Sequence, residues 1–378
     1  MPDYLDYAAS TPIDQRVLDA MISAYTKTYG NADSRTHVFG TQAKELLERC
    51  RKQIADILHV DKTEVIFTSG ATESDNIAIL GMREFGEKSG KTHIITTAIE
   101  HKAVLAPMEY LQEHGFEIDY IKPDISGRID PEEIIKKVKP ETLMVSVMHV
   151  NNETGVIQPI EYLGDELNKR NIYFHIDAAQ SFGKLNETLR NCKYDMLSMS
   201  AHKINGPQGI GALVLRRKKY KRPPIKPLFY GGPQEYSFRP GTTPVPLAAG
   251  FAKAAELAED EHSKNEKNQL EIKRALLESI ENTDYYLNGD VNFTIPGIIN
   301  ISFSGIDSES FFTALKDEYA ISNGAACNSG SYKPSYVLQA MGIDEQRASE
   351  ALRISWGNQM PDFAPLITYV NVMQPKQI

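Results

Sequence analysis

Cysteine is scarce in this chain, with only Cys50, Cys192 and Cys327 among 378 residues. Three scattered thiols exclude a disulfide framework and lack the spacing of a zinc site, so no metal site is expected, and their odd number suits a reducing compartment. Also missing is any long block of like charge. The 41 basic and 50 acidic residues leave a net charge of −9, which argues against a surface that coats nucleic acid or an anionic membrane. Neither partner is expected. No stretch approaches the ~20 apolar residues that cross a bilayer, and the opening "MPDYLDYAASTP" has neither the basic region nor the apolar core of a signal peptide. A cytoplasmic protein is the expectation. Internal repeats and low-complexity segments are absent too.

What the chain does have is an alternation of short apolar runs with helical stretches. After a strand-like "DYLDY", helical patterns cover residues 14–29 and "TQAKELLERCRKQIADIL", with the polar loop "GNADSRTHVFG" between them. Then come "EVIFTSG", "THIITTAIE", "TLMVSVMHVNNETG" and "YFHIDAAQS", each followed by a helical or turn segment. This rhythm predicts an α/β fold with a mostly parallel, doubly wound sheet. Past Arg217 a Pro-, Gly- and Tyr-rich stretch reads as surface loop, and residues 246–282 as one long solvated helix between domains. The remaining segments suit a smaller α+β domain. The expected division is a large domain of residues 14–255 and a small one of residues 1–13 and 256–378.

Ligands of open α/β sheets gather outside the carboxyl ends of the strands, and several polar residues fall at those predicted ends. In "FTSGATESDN" the backbone N–H groups of Gly70, Ala71 and Thr72 can cradle a phosphate at a helix start, although the same phrase also reads as an ordinary helix cap. Asp177 ends an apolar strand, where a carboxylate needs a cationic partner, a capping role or an arginine to stay charged, and Gln180 lies three residues on. Lys203 precedes a glycine-rich turn. A lysine in a partly desolvated pocket becomes a nucleophile able to form a Schiff base, whereas in isolation a surface lysine is the commoner outcome. Together, a phosphate cradle, a buried aspartate and such a lysine meet the needs of pyridoxal phosphate.

His101 begins a helix directly after a strand, as a ring that stacks and shuttles protons or as a plain cap. Asn152 stands at another strand end, as a donor or in an Asx turn. Arg353 in "EALRISWG" can aim its planar fork at a carboxylate or form a structural ion pair. Cys327 lies in "ISNGAACNSGSYKPSY", small residues that would leave its thiol accessible on a moving loop, while Cys50 and Cys192 read as packing residues.

These motifs, with "HVNNETGVIQPI", "SAHKINGPQGIG", "RPGTTPV" and "NGAACNSGSYKPSYVL" in order along nearly the whole chain, resemble the cysteine desulfurases, the NifS/IscS-like branch of the class V aminotransferase-type pyridoxal enzymes. The resemblance implies a fold-type I enzyme that turns L-cysteine into L-alanine, leaves a persulfide on Cys327 and passes the sulfur to an acceptor protein, a scaffold or a downstream sulfurtransferase. It implies Lys203 as the Schiff-base lysine, Asp177 on the pyridine nitrogen, Gln180 on the ring oxygen and His101 on the ring face. Thr72, Ser200 and His202 would hold the phosphate, and Asn152 and Arg353 the substrate carboxylate. Thr242 in "RPGT" matches a residue reaching the phosphate from the partner subunit, hence a homodimer. Where relatives often carry an arginine after the paired glycines, this chain has Tyr236 and Phe238 nearby. The phrase "GNADSRTHVFG" looks like the desulfurases that serve DNA phosphorothioation. Two other readings stay open: a selenocysteine lyase or another β-eliminating pyridoxal enzyme, and a silent scaffold binding acceptors through "RRKKYKR".

Overall fold

The structure is a computed structural model that describes residues 2–218, 220–322 and 335–374. Twelve strands are assigned among them: β1 Asp3–Tyr4, β2 Val65–Thr68, β3 His93–Thr97, β4 Glu117–Ile121, β5 Thr142–Met148, β6 Tyr173–Asp177, β7 Met196–Ser200, β8 Gly211–Leu215, β9 Tyr285–Leu287, β10 Ile298–Phe303, β11 Tyr319–Ala320 and β12 Ala351–Ser355. The apolar runs form strands because they can be covered on both faces: every residue of β2, β3, β5, β7 and β8 is buried. They build one seven-stranded sheet in the order β2-β8-β7-β6-β5-β3-β4. From β7 to β4 all neighbours are parallel, and β8 pairs antiparallel with both β7 and β2. The carboxyl ends of β3, β5, β6 and β7 therefore open on the same edge, as the sequence pattern predicts.

On one face of this sheet lie the helices Gln15–Lys27, Val38–Leu58 and Val245–Asp260, around Val17, Ile54, Phe174, Phe182 and Phe251. On the other lie Ala71–Leu80 and Lys102–Glu113, around Ile77, Val104 and Met108. A separate core of Leu5, Leu276, Phe303, Phe311 and Trp356 fills the space around the antiparallel sheet β12-β10-β9 and the parallel pair β1-β11. No helix among the described residues is long and apolar enough to cross a membrane.

Three expectations are corrected. The loop "GNADSRTHVFG" ends early, since the second helix begins at Val38 with His37 as its cap, Nδ1 accepting from the Gly40 N–H at 3.1 Å. The single solvated helix is two helices, Val245–Asp260 and His262–Ile280, breaking at Glu261. The first of them is largely buried, because Ala248, Ala249, Gly250, Ala252 and Ala255 allow close approach to the helices Gln15–Lys27 and Val38–Leu58.

The third correction concerns the Pro- and Gly-rich stretch, which is not all surface. Tyr220 is 97% exposed, but Glu235 only 5%. The Glu235 carboxylate accepts both terminal nitrogens of buried Arg51 at 2.6 and 2.9 Å, the Phe67 N–H at 2.8 Å and the Thr243 hydroxyl at 2.9 Å. This set of donors explains a charged residue in the interior. To deliver it, Glu235, Tyr236 and Ser237 take left-handed φ angles of 45°, 57° and 67°. The Tyr236 ring then lies 5.4 Å from the Arg51 guanidinium and 5.0 Å from that of Arg222.

Candidate active site

A cavity of about 500 Å³ lies at the carboxyl ends of β3, β5, β6 and β7. Its lining brings together ten of the residues singled out from sequence: Gly70, Ala71, Thr72, His101, Asn152, Asp177, Gln180, Ser200, His202 and Lys203. Arg353 stands beside the cavity, not in its lining, and Thr242 is exposed and away from it. Cys327 lies outside the described residues. Cys50 and Cys192 are buried, as packing residues should be.

One end of the cavity suits an anion. The helix Ala71–Leu80 starts at Gly70 without a side-chain cap, so its first N–H groups and its dipole are available to a ligand. The ordinary-cap reading is partly right as well, because Glu73 accepts the Ser69 N–H at 2.6 Å and pairs with Arg239 at 3.0 Å. Glycine at the facing position, Gly211, is required by packing: a Cβ there would stand 2.3 Å from the Met199 carbonyl oxygen and 2.7 Å from the Gly70 Cα. The strand carrying Ser200 and the turn carrying Gly70 are thus pressed together. His202, next to Ser200, is held neutral because burial pushes its ring down to about 4.

At the other end, β6 delivers Asp177 into the interior. One of its oxygens accepts the Ala179 N–H at 2.8 Å, and no Lys or Arg among the described residues pairs with it. Burial, and after it the charge of Asp75, pushes its carboxyl upward. A cation placed here would be stabilised strongly. His101 caps the helix Lys102–Glu113, Nδ1 accepting the Ala103 N–H at 3.1 Å. Burial lowers its pKa, so the neutral ring carries its proton on Nε2. The two sequence readings of His101, cap and cavity ring, both hold.

Lys203 ends the 3-10 turn Ala201–Lys203 that follows β7. Its Nζ donates to the Ala8 carbonyl at 2.5 Å and the Ala9 carbonyl at 2.9 Å. Burial first, then the charges of Lys184 and Arg353, push the amine down to about 7. Both effects favour the uncharged, nucleophilic form of the amine. Gln180 donates its Nε2–H to the same Ala8 carbonyl at 2.7 Å. Arg353 is fastened by Nη2 to Asp6 at 2.7 Å and by Nη1 to the Asn152 carbonyl at 3.1 Å, while its Nε and the Asn152 Oδ1 are buried without a partner. Both sequence readings of Arg353 persist, because the guanidinium is ion-paired yet keeps an unspent donor.

Three functional neighbours escaped the sequence reading. Asp75 lines the cavity, is fully buried, leaves both oxygens without a hydrogen bond, and lies 3.5 Å from the His175 Nε2. Its signal was its place three residues after Thr72, on the same helix face. Glu100 is buried with one oxygen bonded to the Thr97 hydroxyl at 2.6 Å and the Met148 N–H at 2.9 Å, and burial raises its carboxyl to about 8. Lys184, four residues after Gln180, donates to that amide's Oε1 at 3.3 Å.

The order of groups across the cavity, from anion cradle to amine to buried carboxylate, fits a phosphorylated pyridine aldehyde, and the orphaned Asn152 Oδ1 offers it a further acceptor. Comparison with known proteins agrees. The family described as aminotransferase class-V matches residues 3–362. The chain is 43% identical over 360 residues to the cysteine desulfurase IscS of Vibrio campbellii, covering 94% of this chain and 88% of that protein. The crystal structure of DndA from Streptomyces lividans is 46% identical, with a TM-score of 0.83, covering 94% of this chain and 100% of the other. SspA in complex with cysteine is 35% identical with a TM-score of 0.83, covering 94% and 99%.

Proposed function

Because the chain belongs to the class-V aminotransferase family and is a cysteine desulfurase that works with pyridoxal phosphate, we propose that the cavity holds this cofactor through Lys203 and that sulfur leaves L-cysteine on Cys327. What carries the assignment is the meeting of Lys203, Asp177 and an uncapped helix start around one cavity. When bound, the cofactor supplies an electron sink for negative charge at the substrate Cα.

The protein's own groups do the rest. The Ala71 and Thr72 N–H groups, with Ser200 and His202, would receive the phosphate. Asp177 would hold a proton on the ring nitrogen, Gln180 would donate to the ring oxygen, and the neutral His101, with its proton on Nε2, would serve the ring and the protons moved beside it. Asn152 and the unspent Nε–H of Arg353 orient the substrate carboxylate. The Cys327 thiolate attacks the substrate sulfur: a sulfur–sulfur bond forms, the Cβ–sulfur bond breaks with its electron pair left on carbon, and protonation of that carbon yields alanine. The persulfide then passes to an acceptor protein. Residues 14–255 form the large domain in this reading, and residues 1–13 and 256–378 the small one; the apolar core of Leu5, Leu276, Phe303 and Trp356, separate from those on the two faces of the large sheet, supports it. The protein acts in the cytoplasm. The phrase "GNADSRTHVFG" and the 46% identity to DndA favour an acceptor that serves DNA phosphorothioation.

The test is alanine formation from L-cysteine by the purified protein and its Asp177→Asn variant. The variant is expected to keep cofactor but lose on the order of 10²-fold or more in turnover, since a neutral amide does not hold the ring nitrogen protonated. Near-normal alanine release by the variant would count against Asp177, and none from the wild type would end the proposal.

Thr242 acts from the partner subunit of a homodimer in this reading, which accounts for its exposure and its absence from the lining of its own chain's cavity. Thr242→Ala is expected to weaken cofactor retention about tenfold, the worth of one hydrogen bond to a charged group. Dialysis against apo-protein, with the mass in solution measured by sedimentation, checks this; a monomer with normal retention would refute it.

A further inference from the structure

A second amine sits behind Lys203. Lys184 and Lys203 line a second cavity, of about 420 Å³, that lies between the large sheet's helices and the small core. The two segments that carry them are packed tightly. Gly183 has φ +78°, and a Cβ on it would come within 2.7 Å of the Ile204 Cγ2, so only glycine brings the Lys184 turn this close to the residue following Lys203. A chain of hydrogen bonds completes the link: Lys184 Nζ donates to Gln180 Oε1 at 3.3 Å, Gln180 Nε2 to the Ala8 carbonyl at 2.7 Å, and Lys203 Nζ to that same carbonyl at 2.5 Å.

We propose that Lys184 is a positioning residue for the reaction, the cation that disfavours a proton on Lys203 and holds the Gln180 amide with its donor end toward Lys203. An ammonium group only donates, so the Gln180 atom facing Lys184 has to be oxygen, and Nε2 is left for the Ala8 carbonyl and the ring oxygen. The electrostatic part follows from like charges in a desolvated place. Lys203 is faced by Lys184, Arg353, Asp177 and Asp6, with the rings of His101 and His202 alongside. Arg353 is already paired with Asp6, which leaves Lys184 as the unpaired cation of this set among the described residues. The second cavity is also lined by Tyr7, Asp14, Arg16, Glu261, His262 and Glu266, of which Arg16 pairs with Asp14 and Glu261. Burial lowers both amines, Lys184 to about 8 and Lys203 to about 7, and only Lys203 is lowered further by the charge of the other.

This inference rests on Lys203 as the cofactor anchor, and the experiment separates the two claims. The full-length holoenzyme is titrated by visible absorbance, and the same preparation is reduced with borohydride and mapped by mass spectrometry. Lys184→Met is expected to move the spectral midpoint upward by about one pH unit, Lys184→Gln to do the same while keeping an amide donor, and Lys184→Arg to restore it. If the Met variant does not fold, the Gln variant gives the same comparison. A label on Lys203 with an unmoved midpoint in a folded Met or Gln variant, or a failure of Arg to restore it, would overturn the role of Lys184. A label on a different lysine would instead overturn the anchor.

Discussion

Lys203→Ala is expected to leave a folded protein that carries no borohydride-fixable bond to its cofactor and makes alanine at a rate lower by on the order of 10³-fold or more. Folding should survive because among the described residues Lys203 makes two hydrogen bonds, both to main-chain carbonyls, of Ala8 and Ala9, and its half-buried side chain leaves water access to those carbonyls. Chemistry should not, because among the described residues no other lysine lines the cavity that Asp177 and the Ala71–Leu80 helix start share. Lys184 is close enough to invite rescue, yet it opens on the second cavity. Peptide mapping after borohydride reduction decides the matter: a modified residue elsewhere in the variant would displace Lys203 from its role.

Cys327→Ser is expected to separate substrate binding from sulfur removal. The variant should stay yellow and change colour on adding L-cysteine, because the groups that bind cofactor and substrate carboxylate are all elsewhere in the chain. It should form no persulfide and release almost no alanine, a loss on the order of 10³-fold, since a hydroxyl is a far weaker nucleophile toward sulfur than a thiolate. Mass spectrometry of the wild type after brief exposure to L-cysteine should find one added sulfur on the Cys327 peptide. Wild-type alanine release by the variant without added thiol would sink the desulfurase mechanism through Cys327. It would also favour a β-eliminating enzyme that dispenses with the thiol. Of the three cysteines, Cys50 and Cys192 are no substitutes: burial pushes the Cys50 thiol up to about 12 and Cys192 higher still.

Much of this was legible in the sequence because it depends on local pattern. Strands β2, β3, β5 and β6 appear as apolar runs, and His101, Asn152 and Asp177 stand at or just after their ends, while Lys203 is marked by the glycine-rich turn that follows it; β4 and β7, with less apolar contrast, do not stand out. Burial of the Val245–Asp260 helix was not legible, since alanine contributes little to hydrophobic contrast and only the neighbouring helices reveal that its small side chains are covered. Nor was the burial of Glu235, which depends on donors from Arg51 and Phe67, 184 and 168 residues away. The same holds for Lys184. Its closeness to Lys203 comes from an absent Cβ at Gly183, a fact about three-dimensional fit that no spacing rule contains.

The site also draws on both ends of the chain. Asp6 pairs with Arg353, and the Ala8 N–H donates to the Ser355 hydroxyl, each across 347 positions, while the Ala8 and Ala9 carbonyls hold the Lys203 amine. During synthesis the residues that frame the reactive amine are made first and find partners around Gln180 and His202–Asn205, but their contacts to Arg353 and Ser355 wait until the strand Ala351–Ser355 has left the ribosome. Contacts of such long sequence separation are the slow ones in folding. The frame around the Lys203 amine is thus closed in two stages, first by the segment around His202 and last by the strand that brings Arg353 to Asp6.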